Sequence, residues 1–147
     1  MRKAFSHEFV VERAVGDAFP LFTPKGEEEW VPGWKPDYFA PDSGETRKDM
    51  LFATGNGDER TWWTCLEWEP ESHHVRYFRL TPGNRAAFVE VRCRARGPGS
   101  TDVIVSYDMQ ALGPAGERYI DHMDDAAFAG MIGEWPDLIE KSDQAVA

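Results

Sequence analysis

The sequence predicts an α+β fold, a curved antiparallel β-sheet wrapped around a long C-terminal α-helix. Three observations carry that expectation. The first residues alternate with a period of two, a chain of alternating segments joined by Gly/Pro turns follows from Asp49, and the period changes to three and four after Ala115.

In "AFSHEFVVERA", Phe5, His7, Phe9 and Val11 alternate with Ser6, Glu8, Val10 and Glu12, which describes a strand with one buried face. Gly16 and Asp17 open short helical structure, "DAFPLF", which Pro24 and Gly26 end; the fold places two short helices after the first strand. "GEEEWVPGWKPDYFAPD" reads as an irregular loop, because Pro32, Pro36 and Pro41 remove backbone donors. It carries Trp30, Trp34, Tyr38 and Phe39, a large aromatic area for a loop. "DMLFATG" stops at "GNGD", "RTWWTCLEWEP" runs to Pro70, and "ESHH" turns into "VRYFRLTPG". "RAAFVEVRCRARG" and "TDVIVSYDMQAL" complete an antiparallel meander. From Ala115 to Ala145, Ile120, Met123, Ala127, Met131 and Trp135 recur at helical spacing, with Asp121, Asp124 and Asp125 on the other face. Pro136 is expected to kink or interrupt this helix. The helix is the one large element left to cover the apolar sheet face.

The chain of 147 residues is read as a single domain, 1–147, without repeat or linker. Its net charge of −10 argues against nucleic acid and anionic membranes as partners, since both require clustered Lys and Arg. No apolar run approaches the ~18 residues of a membrane span. "MRKAFSHEFVVERAVG" lacks the apolar stretch of a signal peptide, so a cytoplasmic location with Cys65 and Cys93 as free thiols is expected.

The segments "VERAVGDAFPLFTPKGEEEWVPGW", "WTCLEWEPESHHVRYFRLTPGNR" and "GSTDVIVSYDMQALGPAGERY" resemble the START/SRPBCC superfamily, in particular its polyketide cyclase/dehydrase and lipid-transport branch. The resemblance runs from about Phe5 to Ile139 and rests on segment order and spacing, not on one motif. It implies a helix-grip fold with a cavity between sheet and C-terminal helix, and members that bind lipids, hormones or polyketides. Some are cyclases or aromatases; others act through protein partners. Pro136 departs from the family pattern.

Alternation assigns faces. Glu90, Arg92, Arg94 and Arg96 share the solvated convex side, because an unpaired buried charge is costly. Thr101, Val103, Val105, Tyr107 and Met109 face inward, as do Phe5, His7, Phe9 and Val11. On "VRYFRL", Val75, Tyr77 and Arg79 are placed inward, with Phe78 and Leu80 arguing the opposite. Trp62 and Trp63 must point to opposite faces, and the outward one suggests a homodimer contact or cover by a loop.

Ligand contacts are therefore expected from His7, Phe9, Tyr77, Arg79, Val91, Val105 and Tyr107 on the sheet. Met123 and Phe128 are expected to add the helix side, and Trp30, Trp34 and Tyr38 to close the mouth. His7 and Tyr107 are the candidate catalytic residues, although a hydrogen-bonded core histidine is the commoner role for His7. "GEEE" is expected to be a solvated helical turn. No metal site is expected: His73 and His74 are adjacent and cannot both reach one ion, and no third ligand is near them in sequence. No cofactor motif is found.

The function expected is binding of a small apolar or aromatic ligand, lipid or polyketide-like, in that cavity. The alternatives are a polyketide cyclase/aromatase-type enzyme using acid–base residues in the same cavity, or a protein-interaction module using the convex sheet face.

Overall fold

Seven strands form one antiparallel sheet, with the C-terminal helices laid across its concave side; the computed structural model describes residues 1–146. In chain order the elements are β1 (Arg2–Val11), α1 (Val15–Ala18), a 3-10 turn (Phe19–Phe22), α2 (Pro24–Glu27), β2 (Asp37–Ala40) and β3 (Leu51–Thr54). After a second 3-10 turn (Gly57–Glu59) come β4 (Thr61–Glu69), β5 (His74–Thr81), β6 (Arg85–Gly97) and β7 (Ser100–Ala111). α3 (Pro114–Asp121), α4 (Asp125–Gly133) and α5 (Trp135–Val146) end the chain. The sheet order is β1-β7-β6-β5-β4-β3-β2, so the first strand closes against the last.

Pairing turns the alternation of each strand into rows across the concave face. One row runs Lys3, Met109, Ala87, Arg79, Trp63 and Phe52. The next runs Phe5, Tyr107, Val89, Tyr77 and Cys65. A third runs His7, Val105, Val91, Val75 and Trp68. A register shift between Cys65 and Glu67 keeps Trp68 in this row. Val75, Tyr77 and Arg79 therefore face inward, while Phe78 packs on Phe88 outside, with ring centroids 5.2 Å apart.

Trp63 is the inward member of its pair: it is buried, stacks on Phe52 at 5.5 Å and donates its indole N–H to Thr54 Oγ1 at 3.0 Å. Trp62 lies on the convex side, 47% exposed, stacked on Phe39 at 5.6 Å.

The structure differs from the sequence expectation in two elements. Asp37–Ala40, read as loop, is edge strand β2, bracketed by Pro36 and Pro41 where no ladder donor is required. Its alternation sends Tyr38 inward onto Phe52 and Phe39 outward. The expected single long C-terminal helix is three segments. Asp124 accepts a hydrogen bond from the Ala127 amide at 2.7 Å and so starts a new helix, α4. Pro136 is the second residue of α5, in a first turn whose amides have no intrahelical partner anyway.

Aromatic rings fill one end of the grip. Phe9, Phe22, Trp30 and Trp135 form a mutually packed cluster with centroids 5.4–6.3 Å apart. Burying each such ring contributes about 1.5–3 kcal/mol. Phe128 of α4 stacks on Phe5 and meets Tyr107 edge-on, locking α4 over β1 and β7.

Candidate functional site

Glu27 is the last residue of α2, and local geometry fixes where it points. Thr23 caps the helix by accepting from the Gly26 amide at 3.0 Å, and Pro24 follows at its first position. Gly26 lies so close to the preceding turn that a Cβ there would stand 1.9 Å from the Pro20 carbonyl oxygen. Pro24, Glu27 and Trp30 recur at intervals of three, and Pro24 and Trp30 are buried. Glu27 shares that inward face. The "GEEE" turn is thus not wholly solvated: Glu28 and Glu29 are exposed, whereas Glu27 is turned toward the sheet.

Across the gap stands Arg79, in the row beside Tyr77 and Tyr107. Its guanidinium lies over the Trp63 ring, 4.9 Å from the centroid. Burial pushes the Glu27 carboxyl well above the usual carboxylate range, and the Arg79 charge only partly opposes this. Burial also lowers the Arg79 pKa, against the influence of Tyr107. Both side chains nevertheless keep some accessible surface. The two half-buried groups lie where α2 closes on the sheet, near enough for their charges to interact. Among the described residues neither has a hydrogen bond or ion pair; the two charges sense one another without touching.

Tyr107, half-buried, has no hydrogen-bond partner among the described residues, and burial pushes its hydroxyl up to about 12, with Arg79 opposing. Tyr77 differs, because its hydroxyl is committed to the Phe22 carbonyl at 2.9 Å. At the open end Arg85 stacks over Tyr119, 3.9 Å from the ring centroid. A hollow of about 480 Å³ borders these two, lined also by Glu59, Asn84, His122 and Met123. Glu59, Arg85 and Tyr119 all contribute to the field at Arg79. The arrangement offers one cation, one carboxyl held toward neutrality and one free phenol above an indole face. That set can bind an oxygen-bearing aromatic or apolar molecule and can exchange a proton with it.

The residues expected from sequence fall into three groups. Arg79 and Tyr107 lie at the recess, Met123 lies at the hollow beside it, and Trp34 flanks it by packing edge-on against Trp63 at 5.7 Å. Phe9, Trp30, Val91, Val105 and Phe128 are buried in the core, each 8% exposed or less. Trp30 also spends its indole N–H on the Leu21 carbonyl at 2.8 Å, which makes it a plug and not a lid. Tyr38 packs its ring on Phe52 and donates its hydroxyl to Glu28 at 2.7 Å, with Lys25 over the ring.

His7 stands apart from the Glu27–Arg79 recess, facing inward one row beyond Tyr107. Its Nε2 is 4.0 Å from where a Cβ on Gly133 would be, under the α4–α5 junction. The sequence does not single out Glu27, Arg85 or Tyr119, and it names Trp63 only as one of a pair with Trp62 of which one faces inward. Only the three-residue spacing around Glu27 was a signal available in advance.

No family model matches the sequence, and no curated protein matches it. Solved structures match closely in shape at low identity. Norcoclaurine synthase from Thalictrum flavum, in complex with dopamine and hydroxybenzaldehyde, is 13% identical with a TM-score of 0.65, covering 96% of this chain and 88% of that one. A hypothetical protein from Helicobacter pylori superposes with a TM-score of 0.73 at 11% identity, covering 95% and 88%. Ara h 8.0201 superposes at 0.65 and 10% identity, covering 99% and 98%.

Proposed function

We propose, for a chain that has the helix-grip fold of the START/SRPBCC superfamily, that it binds a small aromatic or apolar ligand carrying an anionic or acceptor oxygen. The observation that carries this reading is the pair Glu27 and Arg79, half-buried on facing elements, their charges interacting with no hydrogen bond or ion pair between them among the described residues. A ligand oxygen on Arg79 gains a charge-assisted bond, while its ring lies against the Trp63–Trp34 surface. Norcoclaurine synthase, on the same fold, is seen with two small aromatic molecules. A lipid or polyketide-like molecule with a terminal carbonyl or carboxylate fits the same chemistry.

A second reading, an acid–base enzyme of the cyclase/aromatase kind, is favoured by one feature. Glu27 keeps its proton to higher pH than an ordinary carboxyl and can donate it to a ligand oxygen or carbon held on Arg79. Self-association is proposed separately, through the convex patch around Trp62.

Native mass spectrometry of the full chain, compared with its denatured mass, tests the binding reading. The expected result is a small mass retained by the wild type and lost from Arg79→Met. A bare wild-type chain, together with no thermal shift from a panel of aromatic carboxylates and phenols, would overturn it.

A further inference from the structure

On the opposite, convex face of the sheet, at the β4–β5 hairpin, His74 is 2% exposed although it projects from the outer side. Three carboxylates surround its ring. Nδ1 lies 3.1 Å from Glu69 Oε1 and 3.7 Å from Glu67 Oε2; Nε2 lies 3.3 Å from Glu90 Oε2. Nε2 nonetheless makes no hydrogen bond of acceptable geometry and is a buried side-chain atom left unsatisfied.

With its proton on Nδ1 the ring donates to Glu69 Oε1 at 3.1 Å, but neither neutral tautomer suits all three carboxylates. With the proton on Nδ1, the bare Nε2 lone pair faces the Glu90 oxygen. With the proton on Nε2, the Nδ1 lone pair faces two carboxylates. A cation on Nδ1 removes the conflict, because Nε2–H can then turn to Glu90. Zinc-bound histidines have that arrangement, the second nitrogen donating to a carboxylate.

The two Nδ1–carboxylate distances, 3.1 and 3.7 Å, suit a shared ion. Donors around a tetrahedral zinc at ~2.0–2.2 Å stand roughly 3.4 Å apart, and one donor atom from each of Glu67, Glu69 and His74 lies within 4.8 Å of the others. Adjacent His73 plays no part, its ring lying edge-on to Phe19 at 5.7 Å. The partners that sequence spacing could not supply come from β4, where the register shift after Cys65 sets Glu67 and Glu69 on the outer face beside His74. Arg92 holds Glu90 in place, donating from Nε at 3.0 Å.

We propose that Glu67, Glu69 and His74 Nδ1 form a binding site for a divalent cation of the zinc class, with Glu90 orienting the histidine. One nitrogen and two carboxylate ligands leave a fourth position for water, on a face separate from the Glu27–Arg79 recess.

The test uses the chelator-treated full chain titrated with zinc chloride alone at pH 7.5, by calorimetry and by nitrogen NMR of the histidine rings. The expected result is one equivalent per chain, with the His74 Nδ1 resonance moving on saturation. Glu67→Gln and Glu69→Gln, both at exposed side chains, should each weaken binding at least tenfold. Glu90→Gln should weaken it about 10–100-fold while leaving the stoichiometry at one. Three results would each overturn the proposal: no zinc bound by the wild type; equal affinity in the Glu67→Gln/Glu69→Gln double variant; or a shift confined to His7, His73 or His122. A His74 ring doubly protonated at pH 7.5 and unmoved by zinc would also overturn it, showing that a proton balances the three carboxylates.

Discussion

Two side chains, Glu27 and Arg79, carry the functional reading, and each yields a prediction. The carboxyl of Glu27 binds its proton more tightly in the folded chain than in the unfolded one. Its contribution to stability therefore falls as pH rises from the ordinary value of 4.5 through the raised one. Glu27→Gln removes that fall. At pH 8 the variant should melt about 2–4 °C above wild type, the shift expected for about 1 kcal/mol, and the difference should vanish near pH 4. Thermal melts across that range check it, and a parallel pH dependence in both proteins would refute the burial of Glu27. Arg79→Met should hold or raise the melting temperature, since it removes an unpaired desolvated charge, while weakening a ligand at least tenfold. A variant that only loses stability would make Arg79 a structural residue.

At the scale of elements, α2 is placed by the absence of a side chain at Gly26 more than by its own four residues. Gly26→Ala must push the helix off the Pro20 carbonyl. The expected cost is about 1–3 kcal/mol, and ligand affinity should fall with it because Glu27 moves too. Denaturant unfolding beside a binding isotherm reads both effects. The break between α3 and α4 depends on Asp124. Asp124→Ala should cost about 1 kcal/mol, seen as a melting temperature lower by about 2–4 °C, because the Ala127 amide loses its cap. No change would mean that packing of Phe128 and Ile132 alone fixes the start of α4.

For the whole molecule, the two sheet faces divide the work. The concave face holds the recess, with its far end sealed by the Phe9–Phe22–Trp30–Trp135 cluster. The convex face bears the His74 cluster and, toward the sheet edge, a shallow apolar hollow of about 300 Å³ lined by Phe39, Leu51, Trp62, Thr64, Phe78 and Leu80. Two of these, Phe39 and Leu51, are 51% exposed. Self-association through this patch predicts a concentration-dependent dimer in sedimentation that Trp62→Ser abolishes; a wild-type monomer at every concentration would remove the idea. No helix among the described residues is long and apolar enough to cross a membrane.

The sequence by itself determined the fold class, the strand order along the chain and the face of most strand residues. These follow from local alternation, which every sheet must obey once one side is buried. It also marked Arg79 and Tyr107, because their rows follow from the same alternation. It did not decide which of Trp62 and Trp63 turns inward, that β2 is a strand, or that the last helix is three. Those depend on pairing partners and caps contributed by other segments. Glu27 and the His74 cluster lay further out of reach. A carboxylate's environment is set by what packs around it: Arg79 and Tyr107 come near Glu27, and Glu67, Glu69 and Glu90 meet His74, only after the chain has folded. Periodicity reports which way a side chain points, and tertiary packing alone reports what it meets there.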